Sequence, residues 1–477
     1  MNRIHWCAGL VLASLLASGG LARADVKLPK VLASNMVLQQ KQAIPIWGTA
    51  DAGEDVTVSI GDNKATAKAG ADGKWSVKLK ELAAGGGPVE VVVKGKNEIK
   101  LTNVLIGEVW VASGQSNMEW NVANSVNPKE EIAAAKYPNI RLFHVRKTPA
   151  VVPQEVVLDR DWSECSPETI SNFSAVAYFF GRHLHKELNV PIGLINTSWG
   201  GTAIEPWTPI AGFESVESLK PIAEQVKAQQ AKPEGAKAGA GGPSHLYNGM
   251  VHHLVPFGIR GAIWYQGESN RSQGVGYEQR MHALINGWRS VWGQGDFPFL
   301  YVQLAPWKYV KPPMTDPAHL LPQIWEAQTK VLAMKNTGMA ITHDIGNLDD
   351  IHPRNKQDVG KRLALWALAK TYGKSDLVYS GPLYKSMKVD GNKVRIEFDH
   401  VGGGLKSRDD KPLSWFTIAG KEGDFVEATA TIDGNSIVVS SAKIAEPAAV
   451  RFGWDQLAEP NLMNAAGLPA GPFRTSR

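Results

Sequence analysis

Ser116 has a position in the sequence that suits a catalytic nucleophile. Ser116 follows the strand-like run Val109–Ala112, and Gly114 permits a tight turn before a helix-like start. A serine there presents its hydroxyl at the sheet edge, and the helix offers backbone N–H groups to a developing oxyanion. An ordinary helix-capping serine is the alternative. The segment also differs from the Gly-x-Ser-x-Gly nucleophile elbow, because Met118 replaces the last glycine.

A histidine far along the chain offers the base that such a serine needs. His352 lies in the loop Asn347–Lys356, after a predicted strand at 341–345 and before a helix with an apolar face. It can take the serine proton while a nearby carboxylate fixes its tautomer and stabilises the imidazolium. Asp349 and Asp350 are both within reach along the chain. A solvated histidine beside an Asx turn is the alternative interpretation.

Two further polar segments follow predicted buried strands. One contains the pair Gly200 and Gly201, whose backbone can approach a substrate oxygen. The other, Trp264–Asn270, places Gln266 and Glu268 after a strand. The glutamine amide can donate to an oxyanion, and the glutamate is a second candidate acid. Structural turns explain either segment alone, whereas four polar strand ends in one domain favour a catalytic site.

The pattern of predicted elements places these segments at one edge of a parallel sheet. Between about 106 and 375, buried strand-like runs alternate with helix-like stretches, which is typical of an α/β domain. Ligands of such sheets bind beyond the carboxyl ends of the strands. The strand-like runs are Glu108–Ala112, Ile192–Asn196, Ala262–Tyr265, Phe299–Leu304 and Met339–Thr342, and the helix-like stretches are 174–188, 278–292 and 358–371.

Antiparallel β modules are predicted on both sides of this α/β domain. Residues 25–105 contain short alternating runs broken by turn residues, which predicts a β-sandwich-like module. Alternation returns at 376–477 and predicts a C-terminal β module. Residues 227–243 are low in complexity and in apolar anchors, so we predict a mobile surface loop there, a passive insertion in preference to a lid.

The first 24 residues have the pattern of a secretory signal peptide. Arg3 precedes the apolar run Ala8–Leu16, and Ala22-Arg-Ala24 forms an A-x-A cleavage site. The apolar run is too short to span a bilayer, so we expect no membrane attachment after cleavage; a retained anchor is the alternative. We therefore expect an exported protein, periplasmic or secreted.

Bulk composition argues against several kinds of partner and cofactor. The chain has 51 basic and 46 acidic residues, and loss of Arg3 and Arg23 with the leader reduces the surplus from five to three. This near-neutral balance favours neither nucleic acid nor an anionic membrane as a partner. Only Cys165 then remains, so an internal disulfide is impossible. With no CxxC or HExxH pattern, neither a metal site nor another cofactor is predicted.

Five sequence blocks resemble the sialate O-acetylesterase branch of the SGNH hydrolases, which includes bacterial hemicellulose acetylesterases. The resemblance spans residues 107 to about 370. It implies a flavodoxin-like, three-layer α/β/α domain and a serine esterase that removes acetyl groups from O-acetylated carbohydrate. The blocks are Gly-Gln-Ser-Asn-Met-Glu (114–119), Trp-Gly-Gly-Thr-Ala-Ile-Glu-Pro-Trp (199–207), Tyr-Asn-Gly-Met (247–250), Trp-Tyr-Gln-Gly-Glu-Ser-Asn (264–270) and Ile-His-Pro-Arg-Asn-Lys (351–356).

The resemblance also implies roles for individual residues. Ser116 is the nucleophile, His352 is the base, and the Ser116 N–H forms an oxyanion hole with a glycine of the 200–201 pair. The wider family has an asparagine in its third block, where this chain has Gln-Gly-Glu-Ser-Asn. Gln266 and Asn270 are therefore both candidates for the third donor.

The triad acid and the sugar contacts are less narrowly defined. The SGNH pattern places the acid at Asp349, three residues before the histidine, with Asp350 and Glu268 as alternatives. Indole faces stack on the apolar C–H faces of sugars, and the chain has 16 tryptophans, among which Trp199 is a substrate-binding candidate. Residues that suit either the sugar pocket or ordinary structural contacts are Trp207, Trp264, Tyr265 and Arg354. An esterase for other short acyl esters and an inactive carbohydrate-binding scaffold are the competing functions.

Overall fold

The computed structural model describes residues 25–157, 159–309 and 320–475, and the predicted signal peptide lies outside the described residues. The strands within these ranges are β1 (Val37–Gln39), β2 (Ile44–Thr49), β3 (Asp55–Ile60), β4 (Asn63–Lys68), β5 (Lys74–Leu79), β6 (Val89–Lys94), β7 (Glu98–Gly114), β8 (Tyr137–His144), β9 (Ser163–Cys165), β10 (Ile192–Ser198), β11 (Gly261–Tyr265), β12 (Phe299–Val302), β13 (Thr337–Ala340), β14 (Leu383–Asp390), β15 (Lys393–Asp399), β16 (Leu405–Ser407), β17 (Phe416–Gly420), β18 (Val426–Glu427), β19 (Thr429–Asp433), β20 (Ser436–Ser440), β21 (Pro447–Phe452), β22 (Leu462–Asn464) and β23 (Phe473–Arg474). The α-helices are α1 (Ser116–Glu119), α2 (Pro128–Ala133), α3 (Pro167–Ile170), α4 (Ala175–Leu188), α5 (Ile210–Glu214), α6 (Lys220–Ala231), α7 (Tyr277–Trp292), α8 (Leu320–Lys330) and α9 (Lys356–Lys370).

A mixed sheet forms the centre of the molecule and confirms the predicted α/β class. Its central path follows the order β13-β12-β11-β7-β10-β8-β9, in which all neighbours are parallel except β8 with β9, and β1, β3, β4 and β6 join the same sheet through β7. The five predicted strands overlap β7, β10, β11, β12 and β13, and the three predicted helices overlap α4, α7 and α9.

The strand predicted at 341–345 is wrong, because β13 ends at Ala340. Its ladder partner β12 stops at Val302. Beyond that point the Arg362 guanidinium donates to the Ile341 carbonyl at 2.6 Å and so replaces a strand partner. The histidine loop therefore begins earlier than the sequence pattern suggests.

The central strands are buried along their length because helices cover both faces of the sheet. Trp110 of β7 packs edge-on against Phe180 of α4, with ring centroids 5.0 Å apart. Trp264 of β11 packs against Trp288 of α7, at 6.4 Å. Trp264 is the register partner of Ser113, which points to the opposite face from Trp110. This two-sided burial explains why the strands are apolar runs without alternation.

Strand β7 joins the N-terminal strands to the central sheet. It is 17 residues long; its first part pairs with β6 and its last part with β10 and β11. The boundary expected at residue 105 therefore lies inside one strand. N-terminal and central side chains share one hydrophobic core, as the buried Val58 and Val111 illustrate.

The C-terminal strands have a hydrophobic core of their own. Strands β14, β15, β20 and β19 form one four-stranded sheet, and β18, β17, β21 and β23 form another. Their inward-facing residues, such as Ile396 and Ile418, are buried between them. Arg474 of β23 forms an ion pair with Glu326 of α8, at 2.9 Å, and so connects the C-terminal strands to the α/β domain.

The segment 227–243 is only partly the predicted loop. Its first five residues complete α6, whose Ala223 and Val226 are buried, so the loop prediction is wrong for them. The chain from 232 to 243 has no helix or strand and is mostly exposed. None of the helices in the described ranges is both long and apolar enough to span a bilayer.

Candidate active site

Three central strands end at the same level and deliver the candidate residues to one edge. Gly114 of β7 is in register with Ser198 of β10 and Tyr265 of β11. Gly114 has a φ of 135°, and a Cβ there would lie 2.2 Å from the Tyr265 carbonyl oxygen. Only glycine fits this turn, which leads through Gln115 to Ser116.

Ser116 and His352 are brought into contact although 236 residues separate them. His352 Nε2 lies 2.9 Å from Ser116 Oγ, the distance expected between a nucleophile and its base. The helix-cap alternative fails, because Gln115 is the N-cap residue of α1 and Ser116 is its first helical residue. The His352 side chain is 25% exposed, so a substrate can reach the pair.

The surroundings of His352 favour the neutral imidazole. Partial burial lowers the pKa of His352, the positive charge of Lys356 lowers it further, and Asp350 opposes both effects. Trp120 stacks on the imidazole with ring centroids 4.6 Å apart and planes 14° apart. A neutral, oriented imidazole is the form that can accept a proton from serine.

The three candidate acids lie in different environments. Asp350 Oδ1 accepts the backbone N–H of His352 at 2.9 Å and lies 3.6 Å from its Nδ1, an ion-pair distance longer than a hydrogen bond. The Asp349 side chain is 84% exposed and pairs with Lys308 at 2.8 Å. Glu268 is half-buried, with its Oε2 enclosed, and its Oε1 accepts from Asn117 Nδ2 at 2.6 Å. Of the three, Asp350 is the carboxylate beside the imidazole.

The glycine pair lies beside the nucleophile. A Cβ on Gly200 would come within 3.2 Å of Ser116 Cβ, so the Gly200 backbone borders the reacting hydroxyl. The Gly200 N–H donates to the Glu119 carboxylate at 2.6 Å, and Glu119 also pairs with Lys147. Gly201 is exposed with a φ of 75°. An oxyanion that uses the Gly200 N–H must therefore displace Glu119.

The amide groups of Gln266 and Asn270 are occupied in a buried network. Gln266 Nε2 lies 2.6 Å from Asn270 Oδ1, 3.1 Å from Gln115 Oε1 and 3.2 Å from the Thr202 carbonyl. Asn270 Nδ2 donates to Glu205 at 3.0 Å. In this arrangement both side chains hold the strand-end loops together and do not face Ser116 as free donors.

The candidate sugar-contacting residues differ in how far their side chains are buried. Trp199 is half-buried, and Lys147 Nζ lies 5.6 Å from its ring centroid. Arg354 is exposed and lines a polar depression of about 620 Å³ beside the histidine loop. Three aromatic candidates are buried core residues: Trp207, Trp264 and Tyr265.

Sequence reasoning missed several functional neighbours of the pair. Trp120, which stacks on His352, follows the Ser116 block directly, so its position was a usable signal. Asn117 and Lys356 lie inside the recognised blocks, but nothing in the sequence indicated that they contact each other. Within the described ranges, no group of three or more His, Cys, Asp or Glu side chains could hold a metal ion.

Comparison with known proteins gives consistent matches. The family described as carbohydrate esterase, sialic acid-specific acetylesterase, matches residues 106–369. Human sialate O-acetylesterase is 34% identical over 426 residues, covering 81% of this chain and 78% of that protein. The Rattus norvegicus sialate O-acetylesterase is 33% identical over 414 residues, covering 74% of this chain and 75% of that protein. The solved structure of a carbohydrate acetylesterase from Xanthomonas citri has a TM-score of 0.85 at 39% identity, covering 94% of this chain and 99% of that chain.

Proposed function

The chain belongs to the carbohydrate esterase family of sialic acid-specific acetylesterases, and we propose that this carbohydrate O-acetylesterase works through Ser116 as nucleophile and His352 as base. The observation that carries the proposal is the 2.9 Å contact between His352 Nε2 and Ser116 Oγ. The contact lies at the carboxyl edge of the central sheet, where α/β proteins bind their ligands.

The reaction proceeds as a two-step acyl transfer. His352 takes the Ser116 proton as the serine oxygen attacks the acetyl carbonyl carbon. The bond from that carbon to the sugar oxygen then breaks, and the imidazolium gives its proton to the departing sugar hydroxyl. Water, deprotonated by His352, attacks the acetyl-serine; the bond to Ser116 Oγ breaks, the imidazolium returns the proton to Oγ, and acetate leaves.

Two backbone groups are proposed as oxyanion donors. The Ser116 N–H lies at the reacting atom, and the Gly200 N–H becomes available when the acetyl oxygen displaces the Glu119 carboxylate. Loss of one such donor costs on the order of 10²–10³ in turnover in serine hydrolases. The occupied amides of Gln266 and Asn270 support a role for these two residues in holding the loops.

Asp350 is the proposed acid of the triad. Its carboxylate is fixed by the His352 backbone N–H, which turns it toward the imidazole. A carboxylate there stabilises the imidazolium that forms when the serine proton is transferred. The pairing of Asp349 with Lys308 supports a surface role for that neighbour.

The SGNH type of fold and export from the cytoplasm are part of the same proposal. Helices on both faces of the parallel strands support the three-layer α/β/α arrangement of SGNH hydrolases. The charged start, short apolar run and A-x-A site of the first 24 residues support a periplasmic or secreted location.

Ser116→Ala tests the proposed function. We expect it to abolish release of p-nitrophenol from p-nitrophenyl acetate while circular dichroism stays unchanged. Ser218→Ala, at an exposed serine on another element, is the matched control. Undiminished turnover of Ser116→Ala would refute the nucleophile assignment.

Substrate comparison separates the competing functions. Preference for long-chain over acetyl p-nitrophenyl esters would favour a different esterase, and sugar binding without acetate release would favour an inactive scaffold. Acetate release from acetylated sialoglycans, measured against acetylated xylan and xyloglucan, identifies the sugar.

A further inference from the structure

Two buried side chains and one half-buried side chain adjoin the Ser116–His352 pair, and the mechanism above uses none of them. Lys356 Nζ, at the start of α9, donates to Asn117 Oδ1 at 2.5 Å. Asn117 Nδ2 donates to Glu268 Oε1 at 2.6 Å. These three residues form the Lys356–Asn117–Glu268 cluster.

The cluster joins the two segments that carry the catalytic pair. Asn117 follows Ser116 directly in α1, and its Nδ2 also donates to the Ile351 carbonyl at 3.0 Å, in the peptide unit that precedes His352. The Asn117 amide thus holds α1, which carries Ser116, and the loop 347–356, which carries His352, together. Because the amide is clamped between Lys356 and Glu268, its orientation is fixed.

Lys356 and Glu268 flank Asn117 in the cluster, and placing ionisable groups there costs free energy that a purely structural contact would not require. Lys356 and the Glu268 Oε2 atom are enclosed by protein, and this oxygen has no hydrogen-bond partner among the described residues. Apolar residues of similar volume often replace a buried ion pair without loss of stability. The presence of charged groups at this cost beside the active pair therefore points to an electrostatic role.

The charges around the cluster define that role. Burial lowers the pKa of Lys356 to about 7, while Glu268 and Asp350 oppose this effect. Burial raises the pKa of Glu268, against the hydrogen bond from Asn117 and the charge of Lys356. Lys356 Nζ also lies 5.3 Å from the centroid of the Tyr265 ring, whose face attracts a cation.

We propose that Lys356, held by Asn117, which Glu268 orients in turn, is a positioning residue that fixes the His352 loop against α1 and places a positive charge near the imidazole. This role rests on the proposed function, since it requires His352 to act as base. Among the described residues, two charges act on His352: Lys356 of α9 favours the neutral ring, and Asp350 of its own loop favours the protonated ring. Removal of Lys356 leaves burial to oppose Asp350, so the pKa of His352 rises.

The test is the pH profile of kcat/KM for p-nitrophenyl acetate in Lys356→Met. We expect the acid limb to move to higher pH by about 0.5–1 unit, because the imidazole becomes easier to protonate. We also expect kcat to fall roughly tenfold with little change in KM, because the His352 loop loses a support. Lys361→Met, at an exposed lysine of the same helix, is the matched control and should leave the limb in place.

A second variant separates this electrostatic role from simple support of the fold. Lys356→Met alone leaves the enclosed Glu268 oxygen without a cation, which lowers stability. The double variant Lys356→Met/Glu268→Gln removes both charges and keeps an acceptor for Asn117, so we expect its melting temperature to recover while the acid limb stays shifted.

An acid limb at the wild-type position in either folded variant would overturn the inference. The proposed function fails separately, if Ser116→Ala retains activity. Loss of activity in Ser116→Ala together with an unmoved limb in the lysine variants would reject only the positioning role.

Discussion

Replacement of Asp350 by asparagine tests which carboxylate supports His352. The Asp350 and His352 side chains are 37% and 25% exposed, and Oδ1 lies 3.6 Å from Nδ1. Unit charges about this far apart interact by about 1 kcal/mol in water and about 4–5 kcal/mol at the effective dielectric of a protein surface. Solvent screening of the exposed carboxylate discounts the larger value, which leaves about 1–3 kcal/mol for stabilisation of the imidazolium. We therefore expect kcat/KM to fall roughly 5–150-fold.

The assay is the initial rate of p-nitrophenyl acetate hydrolysis across a substrate series at pH values above the acid limb. Asp349→Asn makes the same chemical change one residue away, where the carboxylate is paired with Lys308. A surface pair of this kind contributes little, so we expect a change of less than about twofold. The assignment of Asp350 is refuted if Asp349→Asn loses activity and Asp350→Asn keeps it.

Three further results are expected. The acid limb of wild-type kcat/KM should have its midpoint below 6.5, the ordinary pKa of histidine, because burial and Lys356 both lower the pKa of His352; a midpoint at or above 6.5 would contradict that environment. Trp120→Leu removes the ring stacked on His352 and should reduce kcat about two- to tenfold in the same assay, since aromatic stacking contributes about 0.5–1.5 kcal/mol; unchanged kcat would exclude an orienting role. Gly114→Ala should lower the free energy of unfolding in urea by about 2 kcal/mol or more, because φ is positive and the new Cβ meets the Tyr265 carbonyl; equal stability would show that the turn relaxes.

The location of the site follows from the sequence because it depends on a general property of parallel sheets. Carboxyl ends of neighbouring parallel strands meet at one edge, so polar residues after Gly114, Ser198 and Tyr265 necessarily approach one another. The contact of Ser116 with His352 completes that arrangement. Buried strands and amphipathic helices can also be predicted from the sequence, because the spacing of apolar residues reflects which side chains are buried.

The sequence could not predict which of two nearby candidate side chains takes a given role in the site. Asp349 and Asp350 are both within reach of His352 along the chain, and the turn that bonds Asp350 Oδ1 to the His352 N–H decides which one faces the imidazole. The same holds for Gln266 and Asn270, whose amides are occupied by residues distant in sequence. Such preferences depend on tertiary packing, which no local pattern records.

The continuity of strand β7 across residue 105 could not be predicted from the sequence either. The change in hydrophobic pattern near residue 105 marks a change in what covers β7, from the N-terminal strands to the helices, while the strand itself continues from Glu98 to Gly114. Lys356 at a helix start resembles an exposed lysine, and its burial arises only when Asn117 and Glu268 arrive from other elements.

Covalent labelling of the nucleophile tests the central claim most directly. An unactivated serine does not react with a fluorophosphonate, whereas a serine activated by a neighbouring imidazole does. We expect peptide mass spectrometry of the treated wild type to locate one adduct on Ser116, with none in Ser116→Ala and strongly slowed labelling in His352→Ala. An unlabelled Ser116 in a preparation that releases acetate, or an adduct on a different residue, would contradict it.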